Sequence, residues 1–221
     1  MSNNLSNLTS LRRTSLSDEA YDQLRRGIIT GELESGAHLS EAGLSKTFGS
    51  SRAPVREAFF RLEKAGFIKS GSTGRCHVNP ITNRDLEEIY QVRLQLEPYA
   101  AKLAATKVSS KDLVEMESMV DAIATSENLF ELGELDLDLH ERIVESSGNG
   151  LLASLWKELR PRIEWALYHV HEQVVETINE YAEKITLQSQ RKFFREFQKG
   201  DPELAEKAMI RHIETWKEWW L

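Results

Sequence analysis

The stretch from Leu39 to Gly66 (LSEAGLSKTFGSSRAPVREAFFRLEKAG) constrains the fold more than any other part of this 221-residue chain. Ser40 can cap one short helix, and Gly49 can supply the tight turn that follows it. Ser51 can cap a second helix, which continues until the glycine at position 66. Two short helices joined by a tight turn predict a helix-turn-helix.

The second of these helices has two different faces. Val55, Phe59 and Leu62 recur at i, i+4 and i+7, so they share an apolar face that can pack on a small core. Arg52 and Arg56 are also four residues apart and lie on another face, near the helix start. In a helix-turn-helix this part of the second helix enters the major groove, where arginine binds guanine or phosphate. A solvated basic face on a helical hairpin is the alternative interpretation.

The surrounding segments complete a small domain. A helix is predicted over 17–30, followed by a loop over 31–39. Downstream, the short segments 67–69 and 75–79 flank a turn rich in serine and glycine. They predict a β-hairpin of the kind called a wing, so residues 15–80 are predicted to form a winged helix-turn-helix.

The charge distribution supports contact with DNA in this part of the chain. The net charge is −7, but residues 1–80 hold 11 basic and 8 acidic residues, whereas the remainder holds 17 basic and 27 acidic residues. The wing tip, at Gly74 and Arg75, can reach the minor groove or a phosphate. The N-terminus of the second helix at Ser51 can hold another phosphate.

Beyond Pro80 the sequence pattern changes to long helices. Six are predicted, over 82–106, 110–125, 127–147, 149–175, 177–199 and 201–221. The chain is therefore predicted to be mainly α, with a winged helix-turn-helix followed by an antiparallel bundle of about six helices over 81–221. Residues 1–14 are predicted to be a flexible N-terminus.

A set of polar side chains is predicted to converge inside the bundle. Asp136 and His140 are four residues apart and face the same way. Gln190 and His212 each lie roughly 15 Å from the turn between the last two helices, because a helix rises about 1.5 Å per residue, and so they come level in an antiparallel hairpin. Arg93 adds a cation that suits a carboxylate ligand. The set is a candidate site for a small organic acid.

The N-terminal part resembles the winged helix-turn-helix of GntR-family bacterial transcriptional regulators. The segment SRAPVREA and the downstream RLEKAGFI are close to that family's most distinctive stretch. Threonine is frequent in the family where this chain has Ala53, so one hydroxyl contact is expected to be absent. The resemblance implies that DNA is contacted by Ser51, Arg52, Ala53, Arg56, Gly74 and Arg75.

The C-terminal part resembles the all-helical effector domain of the FadR subfamily, known as the FCD type. The resemblance rests on DLEEIYQVRLQLEPYAAKLAA, LDLDLHERIVESSGN and GDPELAEKAMIRHI. It implies a homodimer that binds a palindromic DNA operator, most often as a repressor, and whose helical domain senses a small metabolite. The polar set of Arg93, Asp136, His140, Gln190 and His212 is therefore the predicted effector site.

The metal-binding branch of this subfamily uses one aspartate and three histidines to hold a divalent metal of the zinc or nickel type. Asp136, His140 and His212 match, whereas Gln190 stands where the middle histidine is expected, and a neutral amide is a poor ligand for such a metal. Three interpretations stay open: a metal site, a pocket that binds an organic acid directly, and a polar cluster with only a structural role. A metal-dependent enzyme is the alternative function, but no HExxH or nucleophile motif accompanies these residues.

The remaining features indicate a cytoplasmic protein without a membrane partner, and the family resemblance implies a bacterial one. No apolar run approaches the roughly 20 residues that span a bilayer, and the single cysteine, Cys76, fits a reducing compartment. His169 and His171 are predicted to be surface residues. Three tryptophans near the C-terminus are predicted to pack against the bundle or a neighbouring subunit: Trp216, Trp219 and Trp220.

Overall fold

The computed structural model describes residues 16–70, 75–126, 128–174 and 187–217. The chain divides between Asn79 and Pro80 into two compact units, here called the N-terminal and C-terminal units. Several predicted features lie outside the described residues: the lead-in 1–14, Gly74, the first half of the helix predicted over 177–199, Trp219 and Trp220.

The N-terminal unit has three helices and three short strands among its described residues. In chain order they are α1 (Leu16–Ile29), β1 (His38–Leu39), α2 (Glu41–Thr47), α3 (Arg52–Lys64), β2 (Ile68–Ser70) and β3 (Cys76–Val78). Helices α1 and α2 both pack on α3. The buried side chains between them include Leu24, Ile28, Val55, Phe59 and Leu62. The predicted winged helix-turn-helix is confirmed.

The turn between α2 and α3 follows the sequence prediction at one cap and departs from it at the other. The Ser40 hydroxyl accepts a hydrogen bond from the Gly43 N–H at 3.3 Å and so caps α2. Gly49 has φ = 59°, the left-handed region that favours glycine. Ser51 takes the extended N-cap conformation, but its side chain makes no capping hydrogen bond, so the prediction of a side-chain cap there is wrong. The first turn of α3 therefore has no side-chain acceptor from its own cap.

The wing has a third strand that the sequence prediction placed in a loop. Strand β1 pairs antiparallel with β3, with His38 opposite His77, and the sheet order is β1-β3-β2. Gly36, at φ = 80°, turns the chain toward β3 and donates its N–H to the Val78 carbonyl at 2.9 Å. A strand of two residues is too short to show an alternating pattern, which is why the sequence did not reveal it.

The C-terminal unit consists of six helices in its described part, as predicted. They are α4 (Asn83–Ala104), α5 (Ser110–Ile123), α6 (Leu129–Ser146), α7 (Gly150–Val174), α8 (Leu187–Phe197) and α9 (Pro202–Lys217). Capping boxes begin α4 at Thr82 and α5 at Ser109. Before α9, the Asp201 carboxylate accepts a hydrogen bond from the Leu204 N–H at 3.1 Å.

Helix α4 lies at the centre of this bundle and packs against α6, α7 and α9, while α8 packs against α5 and α9. The interior is filled by large side chains with no more than 2% exposure, among them Trp156, Phe193 and Phe197. Trp216 is also buried, 6.4 Å from the Tyr90 ring, so the predicted packing against the bundle is confirmed for this tryptophan. No helix within the described residues is long and apolar enough to cross a membrane.

Candidate DNA interface and effector pocket

The predicted DNA-contacting residues of α3 lie on its exposed side. Val55 and Leu62 are completely buried, whereas Ser51, Arg52, Ala53 and Arg56 are exposed in the first half of the helix. Arg75, just before β3, is exposed too. The helix therefore offers arginines to solvent at the end that enters the major groove in winged helix-turn-helix proteins.

Arg56 has an ion-pair partner that the sequence prediction did not include. Its Nε lies 3.2 Å from Oε1 of Glu41, and its Nη2 lies 3.0 Å from Oε2. The hydrogen bond from Arg56 lowers the pKa of the Glu41 carboxyl. Glu41 is the first residue of α2, so the tight turn at Gly49 brings the two helices into this contact.

In the C-terminal unit, the predicted carboxylate and imidazoles come together. One ligand atom each from Asp136, His140 and His212 lies within 4.8 Å of the others. The Nε2 atoms of the two histidines are 3.1 Å apart, and His140 Nε2 lies 3.9 Å from Asp136 Oδ2. Asp136 and His140 are buried on α6, and His212 lies on α9.

Both histidines are held through the ring nitrogen that faces away from the cluster. His140 Nδ1 lies 2.5 Å from Glu97 Oε2, and His212 Nδ1 lies 2.7 Å from the Ser189 hydroxyl. Burial, the charge of His140 and the charge of Arg93 hold the pKa of His212 well below its usual value. The Nε2 atoms are thereby directed at one common point, as outer hydrogen bonds do for metal-binding histidines.

Gln190 is completely buried and contacts two members of this cluster. Its Nε2 donates to Oδ1 of Asp136 and lies 3.1 Å from His140 Nε2. Its Oε1 has no hydrogen-bond partner among the described residues. The amide thus presents its donor, and not its oxygen, to the candidate metal ligands.

Arg93 is 2% exposed and is bound by Glu97, a residue that the sequence prediction omitted. Arg93 Nε lies 2.6 Å from Glu97 Oε1, and Nη2 lies 3.3 Å from Oε2. Burial by itself raises the pKa of the Glu97 carboxyl, but Arg93 and His140 outweigh that effect and hold it well below its usual range. In the sequence, only their spacing of four residues indicated that Arg93 and Glu97 pair. Exposed ion pairs on helices have the same spacing, so the sequence did not show that this pair is buried.

A cavity of about 30 Å³ adjoins this cluster, which is room for about one water molecule. Arg93, Asp136 and His212 line it, together with six residues that the sequence prediction did not assign to the site, among them His171, Ser189 and Trp216. The prediction that His171 is a surface residue is wrong, because α7 turns this side chain into the bundle. Burial and the charge of Arg93 lower the pKa of His171 to about 3.

Comparison with known proteins agrees with this architecture. Residues 16–78 match the family described as "Bacterial regulatory proteins, gntR family", and residues 88–215 match the FCD domain. The Bacillus subtilis HTH-type transcriptional regulator YdhC is 28% identical over 197 residues, covering 87% of this chain and 85% of that protein. A probable D-xylose utilization operon repressor of Paenarthrobacter nicotinovorans is 27% identical, with 92% and 88% covered.

Two further similarities concern a repressor and a solved structure. The gluconate operon transcriptional repressor of Bacillus licheniformis is 31% identical over 157 residues, covering 70% of this chain and 64% of the repressor. The structure of Escherichia coli McbR/YncC shares the fold, with a TM-score of 0.74 and 22% identity over 91% of this chain and 95% of that one.

A winged helix-turn-helix joined to an all-helical domain of this type defines a two-domain transcriptional regulator. The chain belongs to the GntR family of bacterial regulators and carries an FCD domain, which is consistent with the FadR subfamily. The relatives are named as transcriptional regulators, so they favour this function over the metal-dependent enzyme.

Proposed function

We propose that this regulator is a homodimeric repressor of a metabolic operon, and that a small organic acid bound beside Arg93 controls its affinity for a palindromic operator. The repressors of xylose and gluconate operons among its relatives support the regulatory mode. The effector proposal depends on the burial and the hydrogen bonding of Arg93. This buried cation uses only part of its hydrogen-bonding capacity on Glu97 and faces a cavity lined by imidazoles.

The geometry of Arg93 favours a carboxylate ligand. Glu97 accepts hydrogen bonds from Nε and Nη2 of Arg93. The remaining nitrogen, Nη1, makes no hydrogen bond among the described residues and can donate to an anionic oxygen. The neighbouring His171 is neutral because its pKa is lowered, and a neutral imidazole can donate a hydrogen bond without adding charge. An organic acid occupies more volume than this cavity, and we propose that the surrounding helices move apart when such a ligand binds. Such a ligand favours the expanded packing, which is the differential binding that coupling to DNA affinity requires.

A divalent metal of the zinc or nickel type would be held by Asp136, His140 and His212. These three ligands fit an ion that keeps one position open for another group. Gln190 does not fit as a fourth protein ligand, because it directs its amide NH₂ at Asp136 and His140. A bound metal would supply a second cation for the effector carboxylate, and we propose that this chain holds it weakly for lack of a fourth protein ligand.

The pocket is tested by thermal unfolding of the full chain with a panel of small carboxylic and sugar acids, each with and without Zn²⁺ or Ni²⁺. A ligand present at 100 times its Kd stabilises the native state by about 2.7 kcal/mol, which raises Tm by roughly 5–10 °C for a chain of this size. His212→Ala is expected to abolish the shifts seen with wild-type protein, because it removes a group that lines the cavity and points at the cluster.

His169→Ala is the matched control for this experiment. His169 is a half-buried histidine of α7 and does not line the cavity, so the variant should keep the wild-type shifts. If His212→Ala retained every shift that the acids and metals produce, the effector would have to bind elsewhere.

Exposed apolar side chains on two adjacent helices support the dimer. On α4, Val92 and Tyr99 are 43% and 49% exposed, and on α7, Leu151 and Leu155 are 73% and 49% exposed. Helices α4 and α7 pack against each other, and we propose that the exposed residues of each helix, here called the two apolar stripes, belong to one surface. A second copy of the chain can cover such a surface by a two-fold axis, which also matches a palindromic operator.

Tyr99→Glu is expected to dissociate the dimer. A charge placed in an apolar interface is costly to bury, so we expect the dimer Kd to rise at least about tenfold. Light scattering coupled to gel filtration measures the change toward the 25.3 kDa monomer mass. Val114→Glu is the control, since Val114 is 62% exposed on α5 and outside the two stripes. A Tyr99→Glu protein that stayed dimeric at low micromolar concentration would contradict the proposed interface.

A further inference from the structure

The ion pair between α2 and α3 fixes which edge of the Arg56 guanidinium is free. Glu41 contacts the edge formed by Nε and Nη2, at 3.2 Å and 3.0 Å. The opposite edge, formed by Nη1 and the second Nη2 hydrogen, has no partner among the described residues. The Arg56 side chain is 70% exposed, so this free edge lies on the surface of the helix.

That free edge has the geometry that reads guanine. A bidentate contact to guanine O6 and N7 needs two parallel N–H groups of one guanidinium, held in a fixed plane. An unsupported arginine has many rotamers and loses side-chain entropy when it adopts one of them on DNA. Glu41 holds the plane of Arg56 before DNA arrives, so less conformational entropy remains to be lost.

The pair also weakens attraction to phosphate. Non-specific binding to DNA comes from cations that neutralise phosphates, and each such contact contributes about 0.9 to the slope of log affinity against log salt. A carboxylate hydrogen-bonded to Arg56 compensates its charge, whereas the neighbouring Arg52 interacts with Glu41 only through its charge. Arg56 is therefore better suited to a base edge than to a phosphate.

We propose that Glu41 is a specificity-determining positioning residue: it orients Arg56 for a bidentate contact with one guanine of the operator and keeps it from binding phosphate non-specifically. The proposal rests on the proposed role of Arg56 in DNA contact. Glu41 itself need not touch the DNA.

The test compares Glu41→Gln with Glu57→Gln in the full-length protein. Glu57 is also exposed and follows Arg56 on α3, so its variant makes the same change of charge without breaking the ion pair. The probes are a duplex selected by the wild-type protein from random DNA and calf-thymus DNA as the non-specific competitor. For Glu41→Gln we expect the ratio of specific to non-specific affinity to fall about tenfold and the non-specific salt slope to steepen by about 0.9. Glu57→Gln should leave the ratio within about twofold.

A double-mutant cycle with Arg56→Ala separates the possible outcomes. If Glu41 acts through Arg56, Glu41→Gln has no further effect on specific affinity in the Arg56→Ala background. Equal losses of specific affinity in both backgrounds would mean that Glu41 contacts a base directly. Equal ratios of specific to non-specific affinity for Glu41→Gln and Glu57→Gln would mean that the ion pair has no role. Either result overturns the proposal. An Arg56→Ala protein that binds the selected duplex like wild type would instead overturn the role of Arg56 itself. Circular dichroism confirms that each variant is folded.

Discussion

Replacing both Arg52 and Arg56 with alanine is expected to abolish sequence-specific DNA binding, with a loss of affinity of at least about 100-fold. Each arginine is exposed at the N-terminal end of α3, and a bidentate contact of arginine with guanine contributes about 1–3 kcal/mol to discrimination between bases. Loss of two cations also removes up to two phosphate contacts. A gel-shift titration with a duplex selected by the wild-type protein measures the effect.

Lys64→Ala is the control for the arginine pair. Lys64 is an exposed basic residue in the last turn of the same helix, at the opposite end from Arg52 and Arg56. This variant should keep the affinity within a few-fold of wild type, and both proteins should unfold at the wild-type temperature. Sequence-specific binding by the double alanine variant would show that another surface reads the operator.

Glu97→Ala is expected to lower the free energy of unfolding by about 3–5 kcal/mol, because it leaves the buried Arg93 charge without its partner. Both side chains are at most 3% exposed, so water cannot replace the lost carboxylate. His140 loses its Nδ1 partner at the same time. Urea unfolding followed by circular dichroism measures the change, and the same variant should lose the ligand-induced shifts in Tm.

The same helix supplies a control with the same spacing. Arg84 and Glu88 are also four residues apart on α4, with Nε and Oε1 2.8 Å apart, but their side chains are 86% and 59% exposed. Glu88→Ala should therefore produce no measurable change in stability, since exposed ion pairs contribute little. If Glu97→Ala unfolded at the same urea concentration as Glu88→Ala, the buried pair would not be a determinant of the bundle's stability.

Much of the fold follows from short-range signals in the sequence. The serine cap at position 40, the glycine turn at Gly49 and the apolar spacing of α3 together predict the helix-turn-helix. Pro80 and the change of hydrophobic period predict where the helical part begins. The convergence of Asp136, His140 and His212 was also predictable, because helical periodicity and the distance to a turn are properties of local geometry.

The sequence did not reveal which polar groups pair across the core. His171 was predicted to be a surface residue and Glu97 was not assigned to the site, yet both are buried in the packed bundle. The direction of the Gln190 amide was equally hidden, since an amide can turn either its NH₂ or its oxygen to a neighbour. The pairing of Glu41 with Arg56 in the N-terminal unit was hidden for the same reason, because the two residues are fifteen positions apart in the chain.

The sequence by itself therefore determined the winged helix-turn-helix and the helical domain that follows it, and it predicted DNA contact through α3 and a polar site in the helical domain. Only the tertiary structure decided that Glu97 pairs with Arg93, that Gln190 donates to Asp136, and that Glu41 pairs with Arg56. The physical reason is that periodicity and caps act within a few residues of the chain. The pairing and burial of charges depend on which helices meet, and that is fixed only when the core is packed.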